Sequence, residues 1–389
     1  MKCTHRLSGL AVRLWREQKR PSYMENMNRS EPPRFPQLDG LRGIAVLIVI
    51  FGHLAMYDFG LGLEAGAPLA PTGVDLFFVL SGFLITGGLW RSRGGARYYM
   101  NFYARRALRI WPLYGLFILF LFAVADRWIP ALRLPPGVHW PVFVLFVQNF
   151  WYGQSGEMGL ALGITWSLAI EEQFYLAWPI GVAKLSAGGA RAVLVCAIGI
   201  APIARWFLAP RDYMNPLCRF DAIAMGSLLA LWIATRNPGR RQLRDAALLM
   251  IALAVCGEAI VLATGTRHLL HVTMVSAIFT GILALSLESD ILVSALSIRA
   301  LRYTGKVSYC LYLCHMIVSL LVLSLLPGTT WSVRLGRVLL ILAASYGVAS
   351  LSWYLLEKRF LKLKRYFDSK APAPRNTPTA DVLVTATDT

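Results

Sequence analysis

Acidic residues are scarce in this chain. Asp and Glu together number 21 against 39 Lys and Arg in 389 residues, and charged residues of both signs make up only 15% of the sequence. So few charges cannot coat a soluble globule of this length. With 56% hydrophobic residues and a mean hydropathy of +0.53, the composition is that of a polytopic membrane protein whose solvent is a lipid bilayer. The formal net charge of +18 raises the question of a nucleic-acid partner. The placement of the cations points away from one: they lie in short loops between apolar runs and in the two tails, where insertion topology accounts for them.

Cysteine is scarce and unpatterned. The six residues Cys3, Cys196, Cys218, Cys256, Cys310 and Cys314 form no CxxC and no Cys/His ligand cluster, so no metal is expected. Cys310 and Cys314 share a helix face with His315 following, and small buried hydrophobes account for them. The N-terminal stretch MKCTHRLSGLAVRLWREQKRPSYMENMNRS lacks the long apolar core and small-residue cleavage site of a signal peptide, and Met24 and Met27 stand as alternative starts. Residues 1–35 are expected to form a basic, disordered tail. Residues 367–389, rich in Pro, Thr and Ala, are expected to form another. Neither a second soluble domain nor a repeat between the halves is visible, so the working part is a single membrane-embedded domain over residues 36–366.

Eleven apolar segments fall near residues 43–58, 73–90, 110–125, 140–151, 167–183, 192–209, 220–235, 245–264, 270–287, 308–326 and 336–356. The 140–151 segment is too short to span comfortably. If it spanned, the block RNPGRRQLR at 236–244 and the tail EKRFLKLKRY at 357–366 would fall opposite the Arg-rich loop at 91–106, against the positive-inside rule. If it re-enters or lies in the interface, every basic loop and both tails face the cytoplasm. The expected fold is all-α, with about ten transmembrane helices and both termini cytoplasmic, in a multi-pass cell membrane protein.

Ionisable groups within the spans carry the functional information, because burying one in a bilayer costs at least about 2.5 kcal/mol. The segment LDGLRGIAVLIVIFGHL opens on Arg42 and closes on His53. Eleven helical steps make about 1100°, within roughly 20° of three turns, so the two side chains share a face about 16 Å apart. FYARRALRIWPLYG places Arg106 and Arg109 on one face at a helix entrance, where with Arg42 they form a fork-like clamp for phosphates. For any single arginine the plain alternative is a topology signal. Phosphates held at one end, with a reactive group about 16 Å inward, match the proportions of an acyl coenzyme A. Glu171 and Glu172 lie in WSLAIEEQFYLAWP, with Glu171 near His53 in depth. Asp75, Arg219 and Asp221 are expected to pair within the bundle, and His315 to be satisfied between packed helices.

These stretches, LDGLRGIAVLIVIFGH, GVDLFFVLSGFLI, FYARRALRIWPLY, TWSLAIEEQFYLAWP, RFDAIAMG and GKVSYCLYLCH, resemble in order the acyltransferase-3 family of integral membrane O-acyltransferases, over about residues 36 to 365. The resemblance implies ten spans with cytoplasmic ends. It implies an acyl-CoA donor, acetyl-CoA by default, and an acceptor hydroxyl on a cell-surface glycan, lipid-linked saccharide or glycosylated metabolite. It implies that His53 is the family's essential histidine, Arg42 its partner, Arg106 and Arg109 its RxxR pair, and Glu171 the acid of its WSLxxE stretch; Glu172 falls at a variable position. Some members carry an additional extracytoplasmic hydrolase-like domain. This chain ends soon after the tenth span, so transfer is expected to be completed by the membrane domain or passed to a separate protein.

A sugar hydroxyl is a poor nucleophile at neutral pH, and a neutral imidazole taking its proton accelerates attack on a thioester by roughly 10² to 10⁴. His53 is assigned that role, with Glu171 orienting it or holding the acceptor's other hydroxyls. The rival class is a multi-span transporter of a small anionic or sugar substrate, which also buries charges in a bundle. A scaffold without chemistry leaves the in-register Arg42 and His53 unexplained. The aromatic stretch HWPVFVLFVQNFWYG suits an interfacial cover, a sugar-stacking surface or a membrane anchor equally.

Overall fold

The computed structural model describes residues 35–56, 69–152, 158–208 and 213–367. The two tails expected to be disordered lie almost wholly outside them. Among the described residues the chain is helical and without strands. Its ten long helices are α1 Pro36–Met56, α2 Leu69–Ser92, α3 Tyr98–Phe120, α4 Trp166–Lys184, α5 Ala187–Leu208, α6 Phe220–Arg236, α7 Arg240–Thr264, α8 Arg267–Glu288, α9 Arg299–Leu325 and α10 Trp331–Ser352. Eight of the described helices are long and apolar enough to cross a membrane. The two of the ten that are not among them are α4, which carries Glu171 and Glu172, and α6, which is only 17 residues long.

Burial sorts the helices into a core and a rim. The apolar stretches of α2 and α9 are 78% and 72% buried, whereas those of α5 and α7 are 22% and 17% buried and present Trp206, Phe207, Leu249 and Leu253 outward. Apolar side chains facing outward all along a helix are what a lipid solvent selects.

Close helix packing rests on glycine. A Cβ on Gly40 or Gly43 would run into the carbonyls of Leu296 and Leu301, and one on Gly305 into the carbonyl of Asp39, so the N-terminal ends of α1 and α9 touch backbone to backbone. Gly82 of α2 and Gly226 of α6 meet in the same way. Small residues that let backbones approach are the usual device where lipid removes the hydrophobic drive for helix association.

The contacts also fix direction. Gly43 lies by Gly305, and His53, ten residues on, lies by His315, ten residues on, so α1 and α9 run parallel. Along α2 and α4, Phe78 meets Trp166, Ser81 meets Glu171, Thr86 meets Trp178 and Arg93 meets the Ala183 carbonyl, so these helices are parallel too. Between parallel α2 and α4 the chain has one long helix, α3. The intervening 140–151 segment breaks into two turns, Trp140–Val144 and Gln148–Trp151, with Phe146 left-handed between them at φ 53°. Buried Gln148 pins the break by donating to the Thr165 carbonyl at 3.0 Å, and the Tyr114 hydroxyl of α3 donates to the Phe143 carbonyl at 3.1 Å.

Candidate active site

One cavity of about 90 Å³ gathers most of the residues singled out from the sequence. Arg42 of α1, Arg106 and Arg109 of α3, and Glu171 of α4 all line it. Three guanidinium groups against one carboxylate on its wall leave the cavity strongly cationic. Glu171 is held by its own helix and its neighbour: the Ser81 hydroxyl donates to Oε1 at 2.7 Å and the Tyr175 hydroxyl to Oε2 at 3.0 Å. The Arg106 guanidinium lies over the Tyr175 ring, 5.5 Å from its centroid, and Arg42 reaches Asp39 at 3.9 Å one turn back along α1. Arg106 and Arg42 are thus each directed by a neighbour.

A further basic side chain was not foreseen. The final turn, Leu363–Phe367, folds back on α3 and sets Lys364 facing Arg109, Arg106, Arg105 and Arg42. In the sequence Lys364 is one of a run of tail cations, and only the fold-back separates it from the rest.

Phe77, Phe78, Tyr309 and Tyr312 add aromatic side chains to the cavity wall. Tyr312 is firmly held. Its hydroxyl donates to the Ile164 carbonyl at 2.7 Å and pairs with Ser167 at 2.6 Å, and its ring packs edge-on against Phe77. One turn further along α9 is His315, whose ring meets that of His53 edge to edge, the planes 24° apart and the centroids 5.1 Å apart, with His53 Nδ1 and His315 Nε2 separated by 3.0 Å. The structure thus brings the three arginines together with Glu171. Neither His53 nor His315 is among the residues that line the cavity: Glu171, expected near His53, is grouped with the arginines instead, and the partner of His53 is His315, whose ring lies 6.1 Å from that of Tyr312. His315 has the backbone partners expected of a packed histidine, the carbonyls of Leu311 and Tyr312, and it has His53 as well.

Four other buried charges pair among themselves, three of them Asp75, Arg219 and Asp221 as expected. Arg219 donates to Asp75 at 2.5 Å beneath the rings of Tyr213, Trp166 and Phe78. Arg205 of α5, which the sequence analysis did not single out, donates to Asp221 at 3.0 Å and to the carbonyls of Cys218 and Leu269. Glu172 points elsewhere, and its Oε1 is buried without a hydrogen-bond partner among the described residues.

A family model described as an acyltransferase domain, Acyl_transf_3, matches residues 35–356. The chain belongs to the acyltransferase-3 family. It is 27% identical over 366 residues to a peptidoglycan O-acetyltransferase, OatA, of Listeria monocytogenes, covering 86% of this chain and 57% of that one. A putative peptidoglycan O-acetyltransferase, YrhL, of Bacillus subtilis is 29% identical over 358 residues, covering 83% and 54%. An O-acetyltransferase OatA of Staphylococcus aureus is 32% identical over 177 residues, 41% of this chain and 27% of its own. The chain thus spans about half the length of the first two relatives, and no solved structure matches it.

Proposed function

We propose that this acyltransferase-3 protein moves an acyl group, acetyl by default, from a cytoplasmic acyl-CoA to a hydroxyl of a cell-envelope glycan, with His53 as general base. The observation that carries the assignment is a cationic cavity walled by Arg42, Arg106 and Arg109, with His53, three turns along α1 from Arg42, paired to a second histidine. The names of the relatives favour a cell-wall polysaccharide as acceptor. Parallel α2 and α4, parallel α1 and α9, and the basic loops support ten spans with both ends cytoplasmic in a bacterial cell membrane, which puts the arginines on the side where acyl-CoA is found.

In this mechanism the donor's phosphates and pyrophosphate sit on the guanidinium groups, whose planar forks suit them better than ammonium would. The thioester extends toward Tyr312 and His53. As the acceptor oxygen attacks the carbonyl carbon, neutral His53 takes the hydroxyl proton; the C–S bond then breaks, and the imidazolium returns that proton to the leaving coenzyme A thiolate. Glu171, fixed by Ser81 and Tyr175, keeps the cationic cluster from being wholly uncompensated while the cavity is empty. No metal takes part in this scheme.

The test is His53→Gln, which keeps a hydrogen-bonding group of similar size without a proton acceptor near neutral pH. With purified full-length protein, acetyl-CoA as donor and a peptidoglycan oligosaccharide as acceptor, transfer followed by thiol release and product mass should fall at least about 10²-fold, the usual minimum a general base supplies. Donor binding should persist. A variant that inserts normally and retains more than about a tenth of wild-type transfer would rule out general-base catalysis by His53.

A further inference from the structure

The two ring nitrogens of His315 face different kinds of atom. Nδ1 lies 2.7 Å from the Tyr312 carbonyl and 3.1 Å from the Leu311 carbonyl, and a carbonyl can only accept. Nδ1 of His315 is therefore the protonated nitrogen. The residue is 1% exposed with no carboxylate among its partners, so a cationic ring there would be an uncompensated buried charge. In the neutral ring Nε2 is then an acceptor, and it faces His53 Nδ1 at 3.0 Å. His53 Nδ1 must donate.

We infer that His315 is a positioning residue that holds His53 in its Nδ1–H tautomer and so keeps the ring's lone pair on Nε2. The inference rests on the general-base role proposed above for its functional consequence, but the tautomer itself follows from the hydrogen-bond geometry alone. A histidine that must take a proton has to present a lone pair, not an N–H, to the hydroxyl, and a partner on the opposite nitrogen is what decides which it presents. Once His53 has taken the proton, its Nδ1–H still donates to His315 Nε2, so the bond steadies the transient imidazolium without a second proton moving. The backbone carbonyls at the start of the relay belong to α9, and that helix is clasped to α1 at Gly43 and Gly305. The orientation of the base is thus built into the packing of two helices whose sequences are 262 residues apart at this point.

The experiment uses the full chain in lipid nanodiscs, labelled with ¹⁵N-histidine. The chain has six histidines, and His53 is identified by the signal lost in His53→Gln. In the wild type, His53 should show a protonated Nδ1 and an unprotonated Nε2. His315→Leu, which removes the acceptor, should shift population to the Nε2–H tautomer and lower kcat at least about tenfold while the acetyl-CoA KM stays within about twofold, as expected when a base is misoriented and binding is untouched. His315→Gln, whose Oε1 can accept from His53 Nδ1, should restore most of kcat together with the wild-type tautomer. A wild-type His53 protonated on Nε2 overturns the inference, even if no variant folds. So does a His315→Leu protein that keeps the wild-type tautomer, whether kcat falls with it or not. Should His53→Gln remain active, the general-base role fails separately, and the wild-type tautomer still decides what His315 does.

Discussion

Two nests of buried charge lie within this bundle, and they are built on opposite plans. In one, Arg219 and Asp75 meet, and Arg205 meets Asp221, with every one of the four side chains at most 2% exposed. Thr273 completes the second pair by donating to Asp221 at 2.6 Å. In the other, Arg42, Arg106 and Arg109 crowd a cavity with Glu171 as the carboxylate among its lining residues. A buried pair cancels its own field and leaves nothing for a ligand to neutralise. A cationic cluster in a low-dielectric setting keeps its field and is stabilised by whatever anion enters. Buried charge in a membrane helix is thus a sign of function when its partners are too few, and of architecture when they match.

Removing the cations should have the largest effect. Arg106→Gln with Arg109→Gln should weaken acetyl-CoA binding by about 3 to 6 kcal/mol, since each charge-assisted hydrogen bond contributes about 1.5 to 3. The melting temperature in detergent should hardly move, because two like charges leave the same cavity. Lys at both positions should return only part of the affinity, for want of the planar fork. Calorimetric titration with acetyl-CoA is the check, and unchanged affinity in the double Gln variant would reduce both arginines to topology signals.

The paired nest should respond in the opposite sense. Asp75→Asn strands Arg219 and should cost about 3 to 5 kcal/mol of stability, read as a lower melting temperature, with donor affinity unaltered in the folded fraction. Adding Arg219→Leu should recover most of that loss. If the double variant is as unstable as the single one, packing and not charge pairing holds this nest together.

The gentlest probe alters neither nest and reads only which side each faces. Reporter fusions at residues 100, 240 and 365 should give cytoplasmic signals and one at residue 155 an external signal. A cytoplasmic signal at 155 would count the 140–151 segment as a crossing and undo the sidedness assigned to the arginine cavity.

Much of this was legible in the sequence because a bilayer makes hydropathy nearly sufficient: each long helix falls on an apolar segment, and the 140–151 segment stood out by its shortness. The alignment of Arg42 with His53 followed from helix geometry alone, since α1 is unbroken from Pro36 to Met56. What the sequence did not show depends on which helices meet. His315 looked like a packed residue because its backbone partners are local, while its link to His53 exists only through the α1–α9 contact. Lys364 was indistinguishable from its tail neighbours, and Arg205 from a span-end cation, until a fold-back and an aspartate on another helix gave each a place.

The glycine clasp between α1 and α9 also acts as a pivot. Gly43 and Gly305 stand ten residues short of His53 and His315, so the histidines ride at the tips of two arms about 15 Å long. Backbone contact at the pivot prevents sliding and leaves rocking as the soft motion. A tilt of about 5° between the arms moves one tip by about 1.3 Å relative to the other, given the rise per residue. That is enough to break a hydrogen bond whose useful range is a few tenths of an ångström. Under the proposed mechanism, the geometry that orients His53 therefore also magnifies small movements of the bundle at the bond proposed to set its tautomer.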